Sequence, residues 1–242
     1  MCFPQKTQKE INLLTNKSLK ETLKNLLESG KCWIAYSQRS FNKTLEVEGG
    51  ALLENSLSEG KGVILFTPHS GNIEILINYL SKNFGCTIPY TPSKIASLDL
   101  LVKQARESMG ANMVPASSSG IKSLLQTLQK GGLIAIASDQ VPNKGSGIIS
   151  TFFGTQALSV SLVASLANKT QSPCHSVFCL RRPKGKGFKI VINHRINKLN
   201  NCEITEGVNL MNRELEKCIM HSPEQYAWEY KRFKHSTFKN PY

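Results

Sequence analysis

Short apolar runs alternate with helical patterns along most of this chain, and that alternation limits the folds open to it. The β-like runs are LEVEG (45–49), VILFT (63–67), CTIPY (86–90), NMVP (112–115), LIAIAS (133–138), CHSVFCL (174–180) and FKIVIN (188–193). Helical patterns lie among them: NIEILINYLSKNF, SLDLLVKQARESMG, GIKSLLQTLQKG, SVSLVASLANK and TEGVNLMNRELEKCI. Strands alternating with helices point to an α/β layered fold with a central, mostly parallel sheet flanked by helices. The run LIAIA has no polar alternation, as a strand covered on both faces requires.

The first forty-odd residues read differently. Ile11, Leu14, Leu19, Leu23, Leu26 and Leu27 fall at helical spacing, and Gly30 is expected to stop the helix. With no repeat and no linker composition, the reading is one domain: an N-terminal helical segment, residues 1–44, packed on an α/β core, residues 45–242.

Thirty Lys+Arg against 17 Asp+Glu leave a net charge of +13, which bears on partners, not on fold. The basic runs lack helix-turn-helix or ribonucleoprotein context, so nucleic acid is not expected as a partner. Anionic membrane and acidic proteins remain. The longest apolar runs are far shorter than the ~20 residues of a spanning helix, so membrane contact is expected to be peripheral. The seven cysteines are odd in number and form no CxxC pair, and we read them as reduced thiols of a cytosolic protein.

One junction concentrates chemistry. In TPHSGNIE, 67–74, Pro68 ends a strand, Gly71 permits a tight turn and Asn72 is placed to cap the next helix. Sites in open α/β sheets form at such strand-to-helix turns. A glutamate in the first helical turn, Glu74, can accept a hydrogen bond from His69, fix its tautomer and leave the other nitrogen as a base. The spacing equally fits a capping histidine and an exposed helix-start glutamate. Neither HExxH, GxSxG, a Walker loop nor a dinucleotide glycine triad is present. The histidines and cysteines lack zinc-site spacing, so no metal is expected. His175 and His194 read as structural. GSGIIS and KGKGF read as turns.

These residues carry a resemblance. TPHSGNIE resembles the H-x4-(D/E) block of membrane acyltransferases, in the form typical of the lipid A late acyltransferases. Further blocks agree in order: MCFP at the start, LDLLVKQARESMGANMVP (98–115), GGLIAIASDQ (131–140), the FFGTQALSV segment from 152, and PEQYAWEYKRFK (223–234). The resemblance covers nearly the whole chain. It implies an acyltransferase-like fold and transfer of a fatty acyl chain from an acyl carrier protein thioester to a hydroxyl of a lipid A precursor. On it, His69 is the general base oriented by Glu74, with oxyanion donors among the backbone amides of the turn. Asn72, Arg106, Asp139 and Gln140 bind substrate; Arg106 alternatively pairs with Asp139 or is solvated. No cofactor is implied beyond the acyl donor. The implied partners are acyl carrier protein, an anionic glycolipid acceptor and a membrane surface, and the implied location is the cytoplasmic face of the inner membrane. The same chemistry on another glycolipid, or a weak paralogue that only binds membrane or carrier protein, stands beside it.

The sequence departs from the family pattern at Thr91, where an arginine is usual, at Ile73, usually tryptophan, and at Val141, usually acidic. The membrane helix usual upstream of Cys-Phe-Pro is not in this sequence, so attachment is expected through the basic loop RRPKGKGFK (181–189) and the aromatic, cationic tail KRFKHSTFKNPY (231–242).

Overall fold

A computed structural model describes residues 2–34, 45–143 and 145–234. The seven runs read as strands all form strands: β1 (Leu45–Glu48), β2 (Val63–Thr67), β3 (Cys86–Tyr90), β4 (Ala111–Pro115), β5 (Leu133–Ala137), β8 (Cys174–Arg181) and β9 (Phe188–Ile192). They make one seven-stranded sheet in the order β1-β9-β8-β2-β5-β3-β4. Every neighbouring pair is parallel except β8 with β9.

Strand periodicity splits the core between the two faces. Ile64 and Phe66 of β2 and Ile134 and Ile136 of β5 enter one cluster. Val63, Leu65, Leu133 and Ala135 enter the other. All eight are buried, which is why these strands carry no polar alternation. The first cluster is closed by helices α5 (Ser118–Gln129), α6 (Leu162–Thr170) and α7 (Ile204–Met220). The second is closed by α2 (Gly50–Ser58) and α3 (Ile73–Phe84), with Cys32 and Trp33 from the end of α1 (Gln8–Ile34). Helix α4 (Ala96–Ser108) packs beside α1 and β4 with no residue of its own buried. The architecture is α/β in a single domain with a long N-terminal helix; the 44/45 boundary falls in residues outside those described.

Three local expectations need correction. Gly30 does not end α1, which runs on to Ile34. Space around Gly30 is open, and a mid-helix glycine costs only about 1 kcal/mol, which burial of Cys32 one turn on offsets. Residues 50–58 form a helix that was not anticipated. GSGIIS is only partly a turn: Ile148–Phe152 (β6) and Thr155–Ser159 (β7) form an antiparallel hairpin. Its two turn residues, Phe153 and Gly154, both have positive φ (47° and 72°), as a primed two-residue turn demands. Phe153 then meets Phe3 and Trp228 at centroid distances of 5.7 and 5.6 Å, joining the two ends of the chain.

None of the seven cysteines is in a disulfide. Cys32, Cys86, Cys174, Cys179 and Cys218 are buried. Burial pushes the Cys32 and Cys174 thiols up to about 12 and Cys218 up to about 11. We expect seven thiols to react with a thiol reagent after denaturation, and these five to be silent in the folded protein. Fewer than seven, without added reductant, would contradict this geometry.

Candidate active site

β2 and β5 are adjacent and parallel, with Thr67 paired to Ala137. Two residues beyond each, at the carboxyl end of the sheet, stand His69 and Asp139. His69 Nδ1 lies 2.7 Å from Asp139 Oδ1, and the His69 amide donates to Asp139 Oδ2 at 2.9 Å. The partner expected for His69 was Glu74; the structure places Asp139 there instead. Asp139 is buried, whereas 30% of the His69 side chain is exposed. Burial opposes the imidazolium, but the Asp139 carboxylate, by charge and by hydrogen bond, outweighs it and raises His69 above its ordinary 6.5. Burial likewise works against the Asp139 carboxylate; His69 outweighs it and holds Asp139 below its usual value. An Nδ1–H donated to Asp139 leaves Nε2 as the basic nitrogen.

Glu74, buried, has a different task. Arg106 Nε donates to its Oε2 at 3.1 Å and Nη2 to its Oε1 at 2.6 Å. The reading of Arg106 as a partner of Asp139 or as a solvated arginine therefore falls. Its positive charge is close enough to act against protonation of His69. The bidentate fork fixes that charge at the cavity described below.

Asn72, taken as substrate-binding, is fully buried and committed to structure. Its Oδ1 accepts from the Ile75 amide at 3.1 Å, capping α3, and its Nδ2 donates to Glu28 Oε2 at 3.2 Å. Gly71 has φ 64°, and a Cβ there would lie 1.8 Å from the Cys179 carbonyl oxygen, so only glycine lets the turn close on β8. The amides expected to serve an oxyanion are spoken for: those of His69, Ser70, Gly71 and Asn72 donate to Asp139, Pro68, Gln225 and Cys179. Helix geometry leaves the first-turn amides of Ile73 and Glu74 without an intrahelical acceptor. Gln140 reaches within 3.4 Å of His69 Nε2.

The block PEQYAW supports the turn from outside. Gly71 donates to the Gln225 carbonyl at 2.8 Å, and the Ala227 amide to the His69 carbonyl at 3.1 Å. Tyr226 is buried; burial first, and the neighbouring Asp139 carboxylate second, push its phenol well above 10. These roles were not legible in advance, because the segment carries no pattern that ties it to residue 69.

The basic loop is largely neutralised within the protein. Arg181 bonds Glu28 through Nε at 2.6 Å and also pairs with Glu21. Arg182 pairs with Glu46, and Lys189 with Glu46 and Glu48. In the tail, Arg232 is buried, donating to Leu158 O and Ser159 Oγ, and Phe233 is in the core. Phe238, Lys239 and Tyr242 lie outside the described residues. His175 is structural, with Nε2 on Ser56 Oγ and Nδ1 on the Asn193 carbonyl, both at 2.8 Å.

His69 stands between two cavities. One, of about 870 Å³, runs under α3 and α5 and is lined mainly by apolar residues, among them Ile73, Leu76, Ile77, Leu80, Ile88 and Leu124, with Arg106 at its wall. The departures Ile73, Thr91 and Val141 all line it. The second, of about 330 Å³, is formed by His69, Asp139, Gln140, Ala227, Glu229 and Tyr230.

The family model for bacterial lipid A biosynthesis acyltransferases matches residues 1–235. The chain belongs to that family. It is 25% identical, over 97% of its length and 76% of the relative's, to a lipid A biosynthesis lauroyltransferase of Escherichia coli K12. A lipid A biosynthesis palmitoleoyltransferase of the same organism is 23% identical over 97% of this chain and 76% of its own. A lipid A biosynthesis acyltransferase of Haemophilus influenzae is 24% identical over 94% and 70%. For a member of this family, a buffered histidine beside a long apolar cavity is the arrangement that acyl transfer needs.

Proposed function

We propose that this acyltransferase moves a fatty acyl chain from an acyl carrier protein thioester to a hydroxyl of a lipid A precursor, with His69 as general base. The observation that carries the reading is the position of His69: Nδ1 tied to Asp139, and the imidazole shared between the apolar cavity and the smaller polar one. A cavity of about 870 Å³ is of the size that encloses apolar ligands, typically ~300–1,000 Å³, and suits the acyl chain. The acceptor hydroxyl then approaches from the smaller cavity.

His69 Nε2 takes the hydroxyl proton as the oxygen attacks the thioester carbonyl. The C–S bond breaks in the second step, and the imidazolium returns the proton to the departing thiolate. Asp139 stabilises the imidazolium between these steps. Arg106, held by Glu74, supplies positive charge near the developing oxyanion, beside the first-turn amides of α3. The thioester provides the driving force, so the reading requires no cofactor. The +13 charge favours acidic carrier protein and anionic lipid, and places the protein peripherally at the cytoplasmic face of the inner membrane.

Incubating the purified protein with acyl carrier protein thioester and a lipid A precursor tests this. Expected are equal amounts of free carrier thiol and an ester-linked acyl chain on the precursor, read by mass spectrometry. Thiol release without acylated precursor would overturn the acceptor; no thiol release would overturn the donor.

A further inference from the structure

Helix α1 packs inside out. Its polar side faces the protein: Ser18, Ser29 and Cys32 are buried, Ser18 Oγ donates to the Tyr226 carbonyl, and Glu21 and Glu28 grip Arg181. Its leucines face away. Leu19, Leu23 and Leu26 are each more than half exposed, and Leu27 and Ile34 are 76% and 77% exposed. At 100° per residue these five fall on one arc of about 100°. Lys17, Lys20, Lys24 and Lys31, all exposed, fall on the adjoining arc of roughly 60°, where no carboxylate lies. Lys24 turns back to Glu21; the other three point at no acid of this helix. Beside it, α4 shows exposed Leu100 and Leu101, and Ile95 is exposed at its start.

We propose that the leucine-and-lysine face of α1, extended by Leu100 and Leu101 of α4, is the surface through which this protein lies on an anionic lipid bilayer. An apolar stripe bordered by lysines is the pattern of a helix lying in the interfacial plane, its leucines among acyl chains and its cations at anionic head groups. The carboxylates that would be repelled there are drawn inward by Arg181. A second copy of this chain would meet the same lysines with lysines, whereas a lipid surface offers the opposite charge. The surface also bears on the site: Glu28, on the inward side of the same helix, holds Asn72 at the head of the catalytic turn, and Arg106 of α4 lines the large cavity. Lipid contact therefore sits one helix away from His69, and lipid substrates need not leave the bilayer surface to reach it. The proposal rests on the acyl-transfer reading for that last step alone.

Sedimentation of the full chain with vesicles of phosphatidylglycerol and phosphatidylcholine tests it. Leu19, Leu23, Leu26 and Leu27 changed together to Gln are expected to weaken binding by about 100-fold or more at every salt concentration. Lys17, Lys20 and Lys31 changed to Gln are expected to cost about fivefold each at low salt, and nothing on pure phosphatidylcholine. Because all seven side chains are exposed, both variants should keep wild-type melting temperatures. Vesicle binding unchanged in the leucine variant would overturn the proposal, as would a soluble dimer that dissociates in it. Acyl transfer to detergent-dispersed acceptor should survive in both variants. If the wild type itself fails in detergent, the functional reading falls while the binding result stands.

Discussion

Changing His69 to alanine is expected to lower kcat by about 10²–10⁴-fold, the range that a positioned general base contributes. The loss should fall on kcat and leave the acyl carrier protein KM nearly unchanged, because the apolar cavity and the charged surface remain. The fold should persist. Asp139 loses the imidazole but keeps the amide of residue 69, its Oδ2 donor at 2.9 Å, and a buried carboxylate short of one partner costs about 1–3 kcal/mol. For a chain of 242 residues that is a melting temperature lower by several degrees. His69→Gln controls for this cost, since its amide can still donate to Asp139 but takes up no proton. It should recover stability and stay inactive. Near-wild-type turnover in either variant would remove His69 from the reaction.

The sheet was readable because its strands are short apolar runs ended by Pro, Gly or Asn, and seven of the nine could be placed from that pattern alone. The β6–β7 hairpin escaped because its polar face reads like a helix start and its turn, Phe153-Gly154, lacks the Asn-Gly or Asp-Gly signal. His69 was readable as a site residue; its partner was not. Glu74 lies five residues away, and Asp139 seventy. Nothing in either stretch says that β2 and β5 are neighbours, yet once Thr67 pairs with Ala137 the two residues beyond each strand stand side by side. The same limit hid the function of Glu74, whose partner Arg106 comes from α4. Helix α1 was misread for the opposite reason. Its period was correct, but a leucine stripe is normally the buried face, and only packing reveals that the carboxylates of Glu21 and Glu28 are held inward by Arg181.

Asp139 and Glu74 should therefore fail in different ways when each is replaced by its amide. Asp139→Asn is expected to reduce kcat by about 10³–10⁴-fold, because an asparagine can hold the wrong imidazole tautomer and cannot balance the imidazolium. It should also move the pH profile. In the wild type Asp139 raises His69 above 6.5, so kcat/KM should fall as pH drops through that raised value. Without the carboxylate only burial remains, which favours neutral imidazole, and the acid limb should shift to lower pH. Stability follows the same signs. The His69 contribution is fully present below its unfolded value and lost as pH rises through the raised folded one. The Asp139 contribution is present above its unfolded value and lost as pH falls through the depressed folded one. The gap in stability between wild type and Asp139→Asn should thus be widest between those two limits. Glu74→Gln should leave the acid limb in place. Its cost is an Arg106 guanidinium, mostly buried, whose bidentate counter-charge has gone, about 3 kcal/mol of stability and roughly 10 °C in melting temperature. Activity should fall with it, through a charge no longer fixed near the thioester. If the acid limb moves in Glu74→Gln and stays in Asp139→Asn, the glutamate orients the base after all and the assignment of roles reverses.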